Sequence, residues 1–110
     1  MTTADTQTHA ISQNPFNGEH IAEYAFDSAL MLEAAVAQGN AAFKQWRKTE
    51  IAKRAALLIN LAAELREASE DIARMITREM GKPVKQARAE VEKSAGLCEW
   101  YAKNGPAMLA

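Results

Sequence analysis

The only thiol in this 110-residue sequence is Cys98, and a cysteine acts as a nucleophile only as the thiolate, which needs a neighbouring base, a helix amino terminus or a cationic setting. Cys98 sits late in a helical pattern with Glu99 beside it, so both the negative end of the helix dipole and a carboxylate oppose ionisation. Free cysteine on an apolar stripe fills a core, and Cys98 is read as an inert core residue. His9 and His20 have no second His, Cys or carboxylate at a ligand spacing, so no metal centre is expected. Glu90 and Glu92 stand two apart, which on a helix points them to different sides. They are read as solvated surface or ion-pair residues rather than as an acid–base couple.

Lys82 is the other residue that invites a chemical role, because Gly81-Lys82 has the look of a phosphate loop. That loop requires Gly-x4-Gly-Lys-Ser/Thr after a strand, whereas this pair follows a helical pattern, lacks the first glycine and runs into Pro83. A glycine that leaves a helix in the left-handed conformation, with proline beyond it, makes a structural corner. Trp46, Trp100 and Tyr101 could stack on a ligand, but their spacing suits cover for helix–helix contacts. No constellation in the chain performs a reaction by itself, and no catalytic, cofactor-binding or metal-ligating residue is assigned.

The elements that would hold these residues are mostly helical. Residues 1–9 are polar and read as a frayed tail. From Ala10 to Phe26, Asn14-Pro15 and Asn17-Gly18 supply turn chemistry between short flanks, which predicts a hairpin needing a neighbour. Asp27 or Ser28 caps a first helix over Ala29 to Trp46, with Leu32, Val36, Gly39, Phe43 and Trp46 on one stripe. Thr49 caps a second, whose seam is Ile51, Ala55, Leu58, Ala62 and Leu65; Leu57 and Leu61 widen it enough to predict burial on more than one side. Ser69 opens a third with Ile72, Met75, Ile76 and Met80 on its face, ending at Gly81. Pro83 starts a fourth, with Val84, Ala87, Val91, Ala95, Cys98 and Ala102 aligned, closed by Asn104-Gly105-Pro106. Opposite charges four apart, Glu50 with Arg54, Arg88 with Glu92 and Glu99 with Lys103, are expected to pair along the helix surfaces.

Composition narrows the function classes. Nearly half the residues are apolar and a quarter charged, with a formal charge of −1, which suits one folded domain and gives no basic footprint for nucleic acid. A lone cysteine and an amino terminus without a basic start or an apolar run point to a cytoplasmic, unprocessed protein. The apolar runs fall short of the ~20 residues of a membrane-spanning helix, so no membrane partner is expected.

Four segments carry a family resemblance. They are Ile11-Ser12-Gln13-Asn14-Pro15 with Gly18-Glu19, Phe43-Lys44-Gln45-Trp46, Arg54 with Leu57-Leu58, and Met75 to Pro83 followed by Gln86-Ala87-Arg88-Ala89-Glu90-Val91. In order and spacing across residues 10 to 109, the chain resembles the amino-terminal portion of the NAD(P)-dependent aldehyde dehydrogenase superfamily, most like the succinate-semialdehyde dehydrogenases. Asn17 departs from the Thr usual before the turn glycine, a change the same turn tolerates.

The resemblance implies an α/β fold of which this chain, a short hairpin and about four helices, would be the mostly α opening, with residues 10–110 an incomplete domain. It implies oxidation of an aldehyde to the carboxylate with NAD or NADP: a cysteine thiolate attacks the carbonyl, hydride passes to nicotinamide, and a glutamate activates the water that cleaves the thioester. The Pro-Trp-Asn, Lys-Pro, glycine-rich, Glu-Leu-Gly-Gly and Gln-x-Cys elements of that chemistry do not match Lys82, Cys98 or any other segment here. The expectation is therefore a fragment of an oxidoreductase acting on a small semialdehyde, inactive and cofactor-free alone, homo-oligomeric at full length. The rival is a free-standing helical module that binds a partner or dimerises.

Overall fold

The computed structural model describes residues 8–110. Two strands, β1 (His9–Gln13) and β2 (His20–Ala25), precede four helices, α1 (Ala29–Trp46), α2 (Ile51–Glu67), α3 (Ser69–Met80) and α4 (Val84–Met108). The expected tail over residues 1–9 lies mostly outside the described residues, and His9 already belongs to β1.

The strands pair antiparallel, with the register broken between Ser12 and Gln13. Their turn is built as the residue types require. Asn14 Oδ1 accepts from the Phe16 N–H and Asn17 Oδ1 from the Glu19 N–H, both at 2.9 Å, and Gly18 takes φ +76°, a conformation costly to other residues. The neighbour the hairpin needs comes from the chain itself. Ser12 Oγ donates to Glu79 Oε1 at 2.9 Å, Arg78 Nη2 donates to Glu19 Oε1 at 3.2 Å, and a Cβ on Gly81 would lie 3.2 Å from Pro15 Cγ. The turn thus rests on the end of α3.

α2, α3 and α4 pack together, with α4 as the common element. The buried positions are mostly small: Ala62 on α2, Ala73 on α3, and Ala87, Val91, Ala95 and Ala102 on α4. Alanine at a crossing lets two backbones approach closely, so contact is gained through the helix backbones and the side chains flanking the seam. The predicted seams of α2 and α4 are the ones observed. On α3 the inner face turns instead on Ala73 with Ile72 and Ile76, while Met75 and Met80 are exposed; the small residue sits nearest α4 and the flexible methionines are left outside.

Several local expectations are corrected. Thr49 does not cap α2: Glu50 occupies the cap position without a side-chain bond, and the Thr49 carbonyl accepts from Arg54 Nε at 3.1 Å. Ala68, not Ser69, precedes α3, because α2 and α3 are separated by that single residue and leave no room for an extended cap. Asn104-Gly105-Pro106 does not end α4, which runs to Met108. Asn104 Nδ2 donates to the Trp100 carbonyl at 2.8 Å, Gly105 is not left-handed, and Pro106 removes one backbone donor without stopping the last turn. The breadth of the α2 stripe does not mean burial on two sides here: Leu57, Ile59 and Leu61 are about half exposed.

α1 differs from the rest. Ser28 caps it as expected, its Oγ accepting from the Met31 N–H at 3.2 Å, but none of its residues is buried and Val36 is 73% exposed. The chain accordingly spans 59 × 40 × 20 Å with a radius of gyration of 19.1 Å, against about 13 Å for a closed domain of this length.

Candidate functional site

The corner between α3 and α4 follows its sequence at Gly81, whereas Pro83 stands one place earlier than expected, at the cap with ψ 134°, and Val84 is the first residue of α4. Gly81 has φ +70° and its N–H returns to the Thr77 carbonyl at 2.9 Å, so it closes α3 in the left-handed cap. Pro83 accepts the first backbone bonds of α4 from Gln86 and Ala87. Lys82 Nζ pairs with Glu90 Oε1 across the corner, which ties the side chain down and leaves no phosphate cradle of the loop type. Glu90 and Glu92 go to separate partners, as their spacing requires: Glu92 meets Arg66 on α2.

The charged surfaces are wired largely between helices, with Glu70–Arg74 on α3 a pair along one helix. The expected pairs Arg88–Glu92 and Glu99–Lys103 are replaced: Arg88 binds Glu70 on α3 through Nε at 2.7 Å and Nη2 at 2.9 Å, and Glu99 receives Arg66 at 2.5 and 3.0 Å. Arg54 turns to a carbonyl instead of Glu50. A guanidinium presents a fork that two carboxylate oxygens can fill at once, so a tertiary partner at the right height outcompetes a weak i,i+4 neighbour. Arg88, then Arg74, hold the Glu70 carboxyl down at about 2, and Arg66 lowers that of Glu99. The same contacts raise Arg66, chiefly through Glu99, and Arg88, through Glu70.

Two clefts are lined by residues of chemical interest. One, of 360 Å³, lies between α2 and the end of α4, bounded by Trp46, Ile51, Arg54, Leu58, Tyr101 and Leu109; Tyr101 also meets Trp100 edge to face, with centroids 5.0 Å apart. The three aromatics are about half exposed, and Trp46 and Tyr101 edge an apolar groove rather than cover a closed contact. The other, of 410 Å³, lies on the α3–α4 face between Glu70, Arg74, Thr77, Arg78, Val84 and Arg88. The sequence reading missed this arginine group, although Glu70, Arg74 and Arg78 recur at intervals of four and so share a helix face.

Cys98 is half-buried on α4 rather than in the core. His20 lies 3.3 Å from Glu23 with both side chains more than half exposed, and His9 Nδ1 is 2.7 Å from Thr8 Oγ1 at the exposed start of β1. Among the described residues no group of three His, Cys, Asp or Glu side chains gathers as a metal site, and no helix is long and apolar enough to cross a membrane. The hydroxyl contacts Thr8–His9 and Ser12–Glu79 tie exposed parts of the hairpin; neither stands over a cleft with the nucleophile, base and oxyanion donors that acyl chemistry brings together.

Comparison with known proteins supplies what the side chains do not. Residues 2–109 match the sequence profile of the aldehyde dehydrogenase family. The chain is 53% identical over 102 residues to the NAD(P)+ succinate semialdehyde dehydrogenase of Escherichia coli, covering 93% of this chain and 22% of that protein. It is 39% identical over 85 residues to an N-succinylglutamate 5-semialdehyde dehydrogenase of Caulobacter vibrioides, covering 77% and 18%. Among solved structures, the succinic semialdehyde dehydrogenase of Streptococcus pyogenes, in complex with NADP+, superposes with a TM-score of 0.82 at 27% identity, over 92% of this chain and 23% of the other. The chain therefore spans about a fifth of the length of these relatives.

Proposed function

The chain belongs to the aldehyde dehydrogenase family, and from that premise we propose that it is the amino-terminal part of an NAD(P)-dependent enzyme that oxidises succinate semialdehyde to succinate. The identity to the Escherichia coli succinate semialdehyde dehydrogenase, 53% across nearly the whole chain, carries this reading. The part played by these residues is structural. The hairpin, the Gly81 corner and the α2–α4 packing form a scaffold, and the open stripes of α1 and the outer side of α2 receive the remainder of the catalytic unit. No residue of the segment is assigned to catalysis or to the cofactor, and the 110-residue chain alone is inactive. At full length the enzyme is a cytoplasmic homo-oligomer.

The test is a chimera in which this chain replaces the matching segment of the Escherichia coli enzyme, assayed by formation of reduced nicotinamide from succinate semialdehyde. The chimera should turn over and the isolated chain should not. Turnover by the isolated chain would overturn the assignment of no catalytic residues. A soluble but inactive chimera would count against the scaffold. A stable dimer of the isolated chain with α1 protected from hydrogen exchange would favour the binding module.

A further inference from the structure

The α1 stripe and the groove between α2 and the end of α4 form one surface, and Trp46 joins them. Its indole lines the groove together with Ile51, Ala55, Leu58, Tyr101 and Leu109. It also lines a shallow, mostly apolar hollow on α1, beside Gly39, Ala42 and Phe43. The α2–α4 seam is closed at Ala62 and Ala95, both fully buried, and opens toward the groove, where Ile51, Ala55 and Leu58 are only half-buried. Phe43, Trp46, Tyr101 and Leu109 are each about half exposed or more, so the face runs from α1 across the groove to the last turn of α4.

The link between the two helices, residues 47–50, sets how the parts of this face stand to one another. The N–H groups of Arg47, Lys48 and Thr49 donate to the carbonyls of Phe43, Gln45 and Trp46 at 2.9, 3.1 and 2.9 Å. On the other side, the Thr49 carbonyl accepts from Arg54 Nε at 3.1 Å. The turn is thus tied into both helices, which gives α1 a set direction from α2 although α1 buries nothing. A face whose backbone is ordered in advance loses less freedom when something binds to it. Part-exposed aromatics set in an apolar pocket are the residues that anchor such contacts.

We infer that this continuous face, with Trp46 at its centre, docks apolar side chains from the part of the parent dehydrogenase that lies outside this segment. The inference rests on the family reading, because the chain spans about a fifth of the length of its relatives and the occupant belongs to the remainder. It carries the covered surface beyond the α1 stripe and the outer side of α2 into the groove, and makes Trp46 the anchor that both parts share. A contiguous apolar patch of this kind marks an interaction surface, where scattered exposed apolar residues would not.

The test is hydroxyl-radical footprinting read by mass spectrometry, comparing the isolated chain with the chimera in which it replaces the matching segment of the Escherichia coli enzyme. Oxidation of Trp46 and Tyr101 should fall several-fold in the chimera, while Phe16, 90% exposed at the hairpin turn, is oxidised alike in both. Trp46→Ala should speed thermal inactivation of the chimera about tenfold, the scale of truncating an aromatic anchor, and Phe16→Ala should leave it unchanged. An active chimera in which Trp46 and Tyr101 stay as reactive as in the isolated chain would overturn the docking face and leave the enzymatic reading standing. A soluble but inactive chimera with both residues protected would do the reverse. Protection of Trp46 in the isolated chain that grows with its concentration would assign the face to a second copy and overturn the inference.

Discussion

α1 and α2 are nearly the same length, 18 and 17 residues, and both carry an apolar stripe at helical spacing, yet they meet opposite fates. α2 lays Ile51, Ala55, Leu58, Ala62 and Leu65 toward α4, and its Arg66 reaches both Glu92 and Glu99. α1 buries nothing. The difference teaches that a stripe specifies a helix and a facing direction, while burial depends on what the rest of the chain brings to that face. Small residues make the meeting possible on one side, since Ala62 and Ala95 are both fully buried.

The sharpest break between the two regions should come from adding volume. Ala95→Leu forces three carbon atoms into a seam with no space, at a cost of about 1–3 kcal/mol. Ala34→Leu on exposed α1 makes the same chemical change and should stay within about 0.5 kcal/mol. Urea midpoints of the two variants decide it. Equal effects would mean that the seam is not close-packed, and the contrast between the regions would fall.

A smaller effect probes the ion pairs that only the packed region owns. The Glu70 carboxyl sits at about 2 in the folded chain against an ordinary 4.5, held there by Arg88 and Arg74. Because the folded value is the lower one, its contribution is present above the unfolded value and is lost as the pH falls from about 4.5 toward 2. Glu70→Gln should flatten that part of the stability–pH curve, and concentrated salt should reduce the difference from the parent, since the pair is solvent-exposed. An unchanged acid limb in the variant would show that the Glu70–Arg88 link is not maintained in solution.

These contrasts also show which parts of the fold were legible in the residues. Ser28, Gly81 and the seams Ile51 to Leu65 and Val84 to Ala102 are local signals, written within a few residues of where they act, and the structure follows them. Arg66 meets carboxylates 26 and 33 positions away, a match set by the relative height of two packed helices, which i,i+4 counting does not reach. Cys98 illustrates the same limit: its stripe was correct, but it is only half-buried while Ala95 and Ala102 on either side of it along that stripe are buried, a distinction that periodicity does not make. The arginine cleft was half legible, because the α3 face is periodic while Arg88 joins it only through the turn at Gly81.

The smallest effect is the most telling for α1. Leu32→Gln with Val36→Thr changes two residues that are 55% and 73% exposed, so in the 110-residue chain the pair should shift the urea midpoint by no more than about 0.5 kcal/mol. Binding of a hydrophobic dye should fall, because exposed apolar surface is what such a dye reports. In the chimera with the Escherichia coli enzyme the same pair should cost about 2 kcal/mol or more, the scale of burying one leucine, because the stripe is then covered. A neutral result in both settings would show that the α1 face is never covered and would remove the scaffold role proposed for it. A large loss already in the short chain would show that α1 packs against its own neighbours, and the contrast with α2 would close.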